Sequence, residues 1–292
     1  MIIKLHDPQK DGELPLTNNG QLEIFFIGVG SAGALTLNQT NFLLVKGKTH
    51  LMVDFGVTAP RALAQTTGLN PIELKNFFNS HQHGDHAYGL EDVALRNRYL
   101  TQKKGGPRLK IIITPEYQRQ LWDHTLSGSL AYNEDPGSQQ SYLGFTDYFE
   151  PVRPRWKTQQ PREIFEIKFG DIDLEIFRTK HIPDIATSWE NSFISYGLFI
   201  DQRVFLSIDT RMDLELIDLY ADRSEMMFHD CQLVGPESVH ATLDDLSRLL
   251  PLRVKRKMFL KHYGDNWRDF EARVAREQFL GLAQQGVRYV FD

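Results

Sequence analysis

The chain of 292 residues predicts an α/β fold, an αββα sandwich of two mixed β-sheets packed face to face with helices outside. Two observations carry that expectation. Pairs of strands are followed by strand–helix units, and this succession occurs twice along the chain.

The elements follow in order. LEIFFIGVGSAG (22–33) reads as a strand entering a glycine-bearing loop, and NFLLVKGKTHLMVDFG (41–56) as a hairpin turning at Gly47-Lys48. APRALAQTTGLNPIEL is a short helix broken at Gly68. LKNFFNS is a short apolar strand, GLEDVALRNRYLTQ a helix, RLKIIITP a strand and EYQRQLWDHTLSGSL a helix. Residues 131–160 are looser and carry aromatics and prolines, too short a stretch to hold a core of its own. One domain is therefore expected over 1–292, with 117–160 as a cap or dimerisation insertion. In the second half, REIFEIKFGDIDLEIFRTKHI alternates apolar and polar residues across a Gly-Asp turn, and SFISYGLFIDQRVFLSIDT has the same design. DLELIDLY (helix), EMMFHDCQL (strand), TLDDLSRLL (helix), VKRKMFLKHY (strand) and DFEARVAREQFLGLAQQ (helix) complete the chain.

Composition excludes several function classes. Net charge is −5, which argues against nucleic-acid binding by bulk electrostatics, and the short basic runs at 103–106, 153–157 and 253–257 read as solvated loops. The single cysteine, Cys231, excludes an internal disulfide and fits a reducing compartment, so a cytoplasmic location is expected. No apolar run reaches about 20 residues, and the N-terminus lacks a long apolar stretch with a small-residue cleavage site. Neither a membrane partner nor a signal peptide is expected.

The stretch FFNSHQHGDHAYGLED (77–92) sets three of the ten histidines and an aspartate within six positions. His81 and His83 are one residue apart and can face one way, whereas Asp85 and His86 are adjacent. The run can thus serve two metal sites side by side, His81 and His83 on one, Asp85 and His86 on the other. Imidazole and carboxylate are ligands that Zn²⁺, Mn²⁺ and Fe²⁺ accept, and zinc is the first expectation.

This HxHxDH run after a short strand resembles the signature of the metallo-β-lactamase superfamily, and the resemblance extends over roughly 22–264. It implies that Asp54, in LMVDFG, supports the metal loop. His181 in RTKHIPD is then the third ligand of the first metal, Asp209 in LSIDT the bridging carboxylate, and His262 in FLKHYGD the last ligand of the second metal. Two divalent ions that share one hydroxide lower its pKa and hold the scissile group in line, which is hydrolase chemistry.

FHDCQ, VHATLDDL and FLKHYGD in succession resemble the tRNA 3′-processing endonuclease (RNase Z) branch. In that likeness Asp230 orients His240, and His240 donates a proton to the leaving oxygen. Asp85, Asp230 and His240 are the candidate catalytic residues. The last motif, His-Tyr-Gly-Asp, departs from the His-Phe-Ser of RNase Z, and no tRNA-gripping arm is evident. A small phosphodiester such as a cyclic nucleotide is therefore the favoured substrate, with RNA behind it. The superfamily also has cyclic-nucleotide phosphodiesterases, whose helical cap LWDHTLSGSL and FTDYF resemble loosely. Trp122, Tyr142, Phe145, Tyr148, Phe149 and Trp189 are candidates to stack a base, against the plainer alternative of core or dimer packing. A tRNA-processing endonuclease and an ester, lactone or thioester hydrolase of the same fold are the alternatives. A homodimer is a further expectation.

Overall fold

The two series of strands each close on a sheet of their own. The computed structural model describes residues 1–134, 142–236 and 238–292, so the middle of the 117–160 insertion lies outside the described residues. The chain divides into two compact units, Met1–Gly28 with Asn41–Pro154 and Gly286–Asp292, and Val29–Thr40 with Arg155–Gln285.

In the first unit, eight strands are found among the described residues: β1 (Ile2–Leu5), β2 (Leu22–Gly28), β3 (Asn41–Lys46), β4 (Thr49–Val53), β5 (Asn76–Phe78), β6 (Leu109–Ile112), β7 (Phe149–Val152) and β16 (Val287–Phe291). Their order is β1-β16-β2-β3-β4-β5-β6-β7. The ladder is antiparallel from β1 to β4 and parallel from β4 to β7. The sequence dictates the switch. A two-residue turn can return β3 antiparallel as β4, whereas the parallel strands need helical crossovers such as Ala59–Thr67 and Gly89–Leu100. Helix Ala59–Thr67 turns Ala62 and Leu63 inward and stops at Gly68, whose φ of 78° ends it.

The second unit repeats the plan with β8 (Arg155–Thr158), β9 (Ile164–Phe169), β10 (Ile172–Arg178), β11 (Tyr196–Ile200), β12 (Val204–Leu206), β13 (Met226–Asp230), β14 (Met258–Lys261) and β15 (Gly281–Leu282). The order is β15-β14-β13-β12-β11-β10-β9-β8, antiparallel from β8 to β12 and parallel from β12 to β15. Helix Leu214–Ala221 buries Leu216, Ile217 and Tyr220, and Tyr220 lies 4.7 Å from Phe177 and 4.9 Å from Phe199. Burying a side chain of this kind contributes roughly 1.5–3 kcal/mol. In each unit the central strands are buried on both faces, as β2 and β11 to β13 show.

Three local expectations change. Residues 131–160 supply an edge strand to each sheet, β7 and β8. Pro151 is tolerated in β7 because that strand pairs on one side only. The strand expected from Val254 begins at Met258, since Pro251 opens the short helix Leu252–Lys255. The long C-terminal helix is only Glu271–Arg276 after a 3-10 turn at Trp267–Phe270, because Gln278 takes φ 64° and the chain re-enters the sheet at β15.

Candidate metal and catalytic site

In each unit most of the predicted residues lie just past the C-terminal ends of strands, where the chain leaves the sheet. In the first unit His81 follows β5, and Asp54 follows β4 beside it. Asp54 adopts φ 58°, which a non-glycine residue holds only when its surroundings over-determine it. They do: Oδ1 accepts from Ser80 N (2.7 Å) and Asn79 Nδ2 (3.2 Å), and Oδ2 from Ser80 Oγ and His86 Nδ1, both at 2.7 Å. Asp54 thus touches supports and a histidine. His86 Nε2 is turned toward Asp85 Oδ2 at 3.2 Å, and His81 Nε2 lies 3.1 Å from His83 Nδ1. The His81 ring also packs against His86, with ring centroids 4.2 Å apart.

The short helix Gly84–Ala87 carries Asp85 and His86, and the end of β4 holds it closely. Asn41 Nδ2 donates to Asp85 O (2.9 Å), Phe55 N donates to His86 O (2.7 Å), and a Cβ on Gly56 would stand 1.9 Å from Asp85 O. Only glycine allows that approach.

In the second unit His181 follows β10, Asp209 follows β12, Asp230 ends β13 and His262 follows β14. His181 Nδ1 faces the Val239 carbonyl at 2.7 Å. Ile208 and His262 adopt φ 54° and 64°, strained angles for side chains of this size. Fixed contacts hold both turns. Lys261 Nζ donates to Ile208 O (2.9 Å), and Ser207 Oγ accepts from Asp230 N (2.9 Å) and donates to Ile208 O (2.9 Å). His262 N donates to Val29 O (2.8 Å). His262 Nε2 and His181 Nε2 lie 3.4 and 3.9 Å from Asp209 Oδ2.

Asp230 is fully buried and meets two imidazoles. Oδ2 accepts from Thr210 N (2.9 Å) and faces His240 Nδ1 (2.8 Å), while His262 Nδ1 lies 3.5 Å from Oδ1. Burial works to raise this carboxyl, and the two imidazoles overcome it, holding it below the usual carboxylate range. The His240 loop is fixed by Ala241 N donating to Thr210 O (2.9 Å).

The donor set fits divalent cations. His86, His181 and His262 each turn Nδ1 to an acceptor, which leaves the lone pair on Nε2, the arrangement that suits a metal-ligating histidine. His181, Asp209 and His240, and likewise Asp230, His240 and His262, present ligand atoms within 4.8 Å of one another.

The aromatic candidates divide. Phe145, Tyr148 and Phe149 are core residues packed with Trp122, so packing rather than base stacking accounts for them. Trp189 is buried beneath Arg178, and Tyr142 is exposed beside Tyr132. The sequence reading missed Asn79, Ser80 and Thr210. All three are short polar residues directly beside the motifs, and that adjacency is the signal that could have found them. No sequence signal pointed to Tyr117, which donates to Asn79 Oδ1 at 2.5 Å.

Comparison with known proteins agrees. The sequence model of the family described as anti-Pycsar protein Apyc1 matches residues 22–289. The anti-Pycsar protein Apyc1 of Paenibacillus xerothermodurans is 33% identical, over 92% of this chain and 98% of its own length. The Paenibacillus harenae protein of the same name is 34% identical, over 89% and 97%. Among solved structures, the metallo-β-lactamase fold protein YhfI from Bacillus subtilis superposes with a TM-score of 0.65 at 15% identity, over 92% of this chain and 99% of that one, which establishes the fold class. The chain thus belongs to the anti-Pycsar protein Apyc1 family and has the metallo-β-lactamase fold.

Proposed function

We propose that this protein is a dinuclear phosphodiesterase whose substrate is a small phosphodiester, a cyclic nucleotide first among them. His81, His83 and His181 would hold one ion and Asp85, His86 and His262 the other, with Asp209 shared between them. Zinc is the first expectation, with manganese or iron as alternatives that the same donors accept. When bound, such a pair of ions supplies Lewis acidity toward a phosphoryl oxygen and lowers the pKa of an attacking water.

The observation that carries the reading is the Asp230–His240 pair. Asp230 takes the Nδ1 proton of His240, so Nε2 is the atom left to meet substrate, and the His240 side chain keeps 20% of its surface exposed. A carboxylate-held imidazole can give a proton to a departing alkoxide, which leaves poorly without one. Hydrolysis of an ester or lactone has less need of it. Family membership supports the same reading. Among the described residues no helix is long and apolar enough to cross a membrane, and a cytoplasmic location is part of the proposal.

The test is a substrate panel. The purified chain, loaded with Zn²⁺ or Mn²⁺, is assayed on purine and pyrimidine 3′,5′-cyclic nucleotides, bis-p-nitrophenyl phosphate, a lactone and precursor tRNA. Turnover of cyclic nucleotides above the rest is expected. Turnover of the lactone with no phosphodiester cleaved would overturn the proposal, and cleavage of precursor tRNA alone would move it to RNA processing.

A further inference from the structure

Behind His86 runs a buried polar chain that ends on a helix remote in sequence. Asn79 Nδ2 donates both to Asp54 Oδ1 (3.2 Å) and to the His86 carbonyl (2.8 Å), and Asn79 Oδ1 accepts from Tyr117 Oη–H (2.5 Å). Tyr117, Asn79, Asp54 and His86 are each at most 1% exposed. Thr114 caps the helix Pro115–Leu121, its Oγ1 accepting from Tyr117 N (3.2 Å), and that start aims the tyrosine inward.

We propose that Tyr117 and Asn79 are positioning residues for His86 as a metal ligand, a proposal that rests on the dinuclear reading above. The Asn79 amide has one workable orientation. Turned over, its oxygen would face a carboxylate and a carbonyl, two acceptors. As placed, one amide group grips His86 twice, at its backbone directly and at its ring through Asp54. Tyr117 fixes the far end of that amide. Removing the hydroxyl leaves Asn79 Oδ1 buried without this donor, and the amide is then free to tilt away from Asp54. Asp54 sits at φ 58° and depends on its hydrogen bonds to stay there. Slack in Asn79 therefore reaches the His86 ring. His81 is one link further away, since Ser80 Oγ lies 3.0 Å from its Nδ1 and itself donates to Asp54 Oδ2, so the effect falls more heavily on the His86 pair than on the His81 pair.

The test is Tyr117→Phe, which keeps the ring and its packing. Co²⁺ and Zn²⁺ affinities are measured by chelator competition, and the two ions are assigned by comparison with His83→Ala and His86→Ala. Loss of a direct partner of a metal-bound histidine costs about 10–100-fold in affinity, so a group one step further out is expected to cost roughly 3–10-fold. That loss should be larger at the ion at His86 than at the ion at His81, which Asp54 reaches only through Ser80. Asn79→Ala, which removes both grips, should approach the full loss; it serves as the second variant should Tyr117→Phe fold poorly. Equal loss at both ions, or unchanged affinities in both variants beside a lower melting temperature, would make the chain of contacts merely structural and overturn the inference. A wild-type chain that holds no ion at His86 would overturn the dinuclear reading and this inference with it.

Discussion

Asp230→Asn tests the site most sharply, because the residue is nearly isosteric and serves two imidazoles at once. Oδ2 takes Thr210 N and His240 Nδ1, and Oδ1 faces His262 Nδ1. An asparagine must present an NH₂ to one side. If its oxygen replaces Oδ2, the NH₂ meets the His262 Nδ1–H; turned over, it meets His240 and Thr210. Either way a donor faces a donor in a site that excludes water, and the imidazole that loses must move its proton to Nε2. A hydrogen bond to a charged group contributes about 1.5–3 kcal/mol, so losing the carboxylate removes both restoring forces together. If His240 loses, the imidazolium that gives its proton from Nε2 is no longer stabilised at Nδ1, and kcat on a phosphodiester with a poor leaving group should fall by roughly 10–10³-fold, the lower reach of general-acid effects. If His262 loses, the lone pair it would offer a metal is occupied, and affinity for that ion should fall by roughly 10–100-fold. Steady-state kinetics at saturating metal, beside chelator competition, separates the two losses. A variant that keeps both kcat and metal affinity overturns the reasoning, because one of the two imidazoles must lose its acceptor. One that loses only kcat, or only metal affinity, shows which way the asparagine amide is turned.

Further outcomes follow from the same geometry. His240→Ala should lower kcat by roughly 10²–10⁴-fold for a poor leaving group and much less for p-nitrophenyl esters, with metal content unchanged; equal losses on both would make His240 a stabiliser of phosphoryl oxygens. Gly56→Ala sets a methyl against the backbone of Asp85 at 1.9 Å and should destabilise the fold by about 3 kcal/mol or more in urea titrations, because no side chain there can swing away. His50 accepts from Lys75 N through Nε2 (3.1 Å), and burial, helped by the Lys75 charge, pushes its pKa down to about 4. The unfolded chain binds this proton near pH 6.5 and the folded chain does not, so the stability held above that pH is lost as pH falls toward 4. Between pH 7 and 5 the loss amounts to about 2 kcal/mol, and His50→Gln should remove it from denaturation curves.

Much of the candidate site was legible because the residues proposed as ligands are punctuated by strands. His81, His83, Asp85 and His86 fall within six positions, a density that a plain polar loop hardly explains. His181, Asp209 and His262 were legible only by their order at successive strand ends; singly, each is an ordinary polar residue. Tyr117 and Asn79 meet 38 positions apart through neutral groups, and neither periodicity nor charge marks such a contact. The helix overrun at 277–285 has a similar cause. Phe279 and Leu282 continue an apolar spacing that suits a helix, yet the left-handed turn at Gln278 redirects both into the second sheet region. Val287–Phe291, rich in β-formers, was available to propensity and passed over.

The left-handed turns at Asp54, Ile208 and His262 have one more implication. Each carries or adjoins a side chain that the chemistry needs, and each is held against its own preference by a few hydrogen bonds at the rim of an intact sheet. Releasing one such turn relaxes the backbone and leaves the strands paired, so it is an excursion that falls short of global unfolding. Mild denaturant should therefore silence the enzyme while its far-ultraviolet circular dichroism is still that of the folded chain, with the midpoint for inactivation below the midpoint for unfolding.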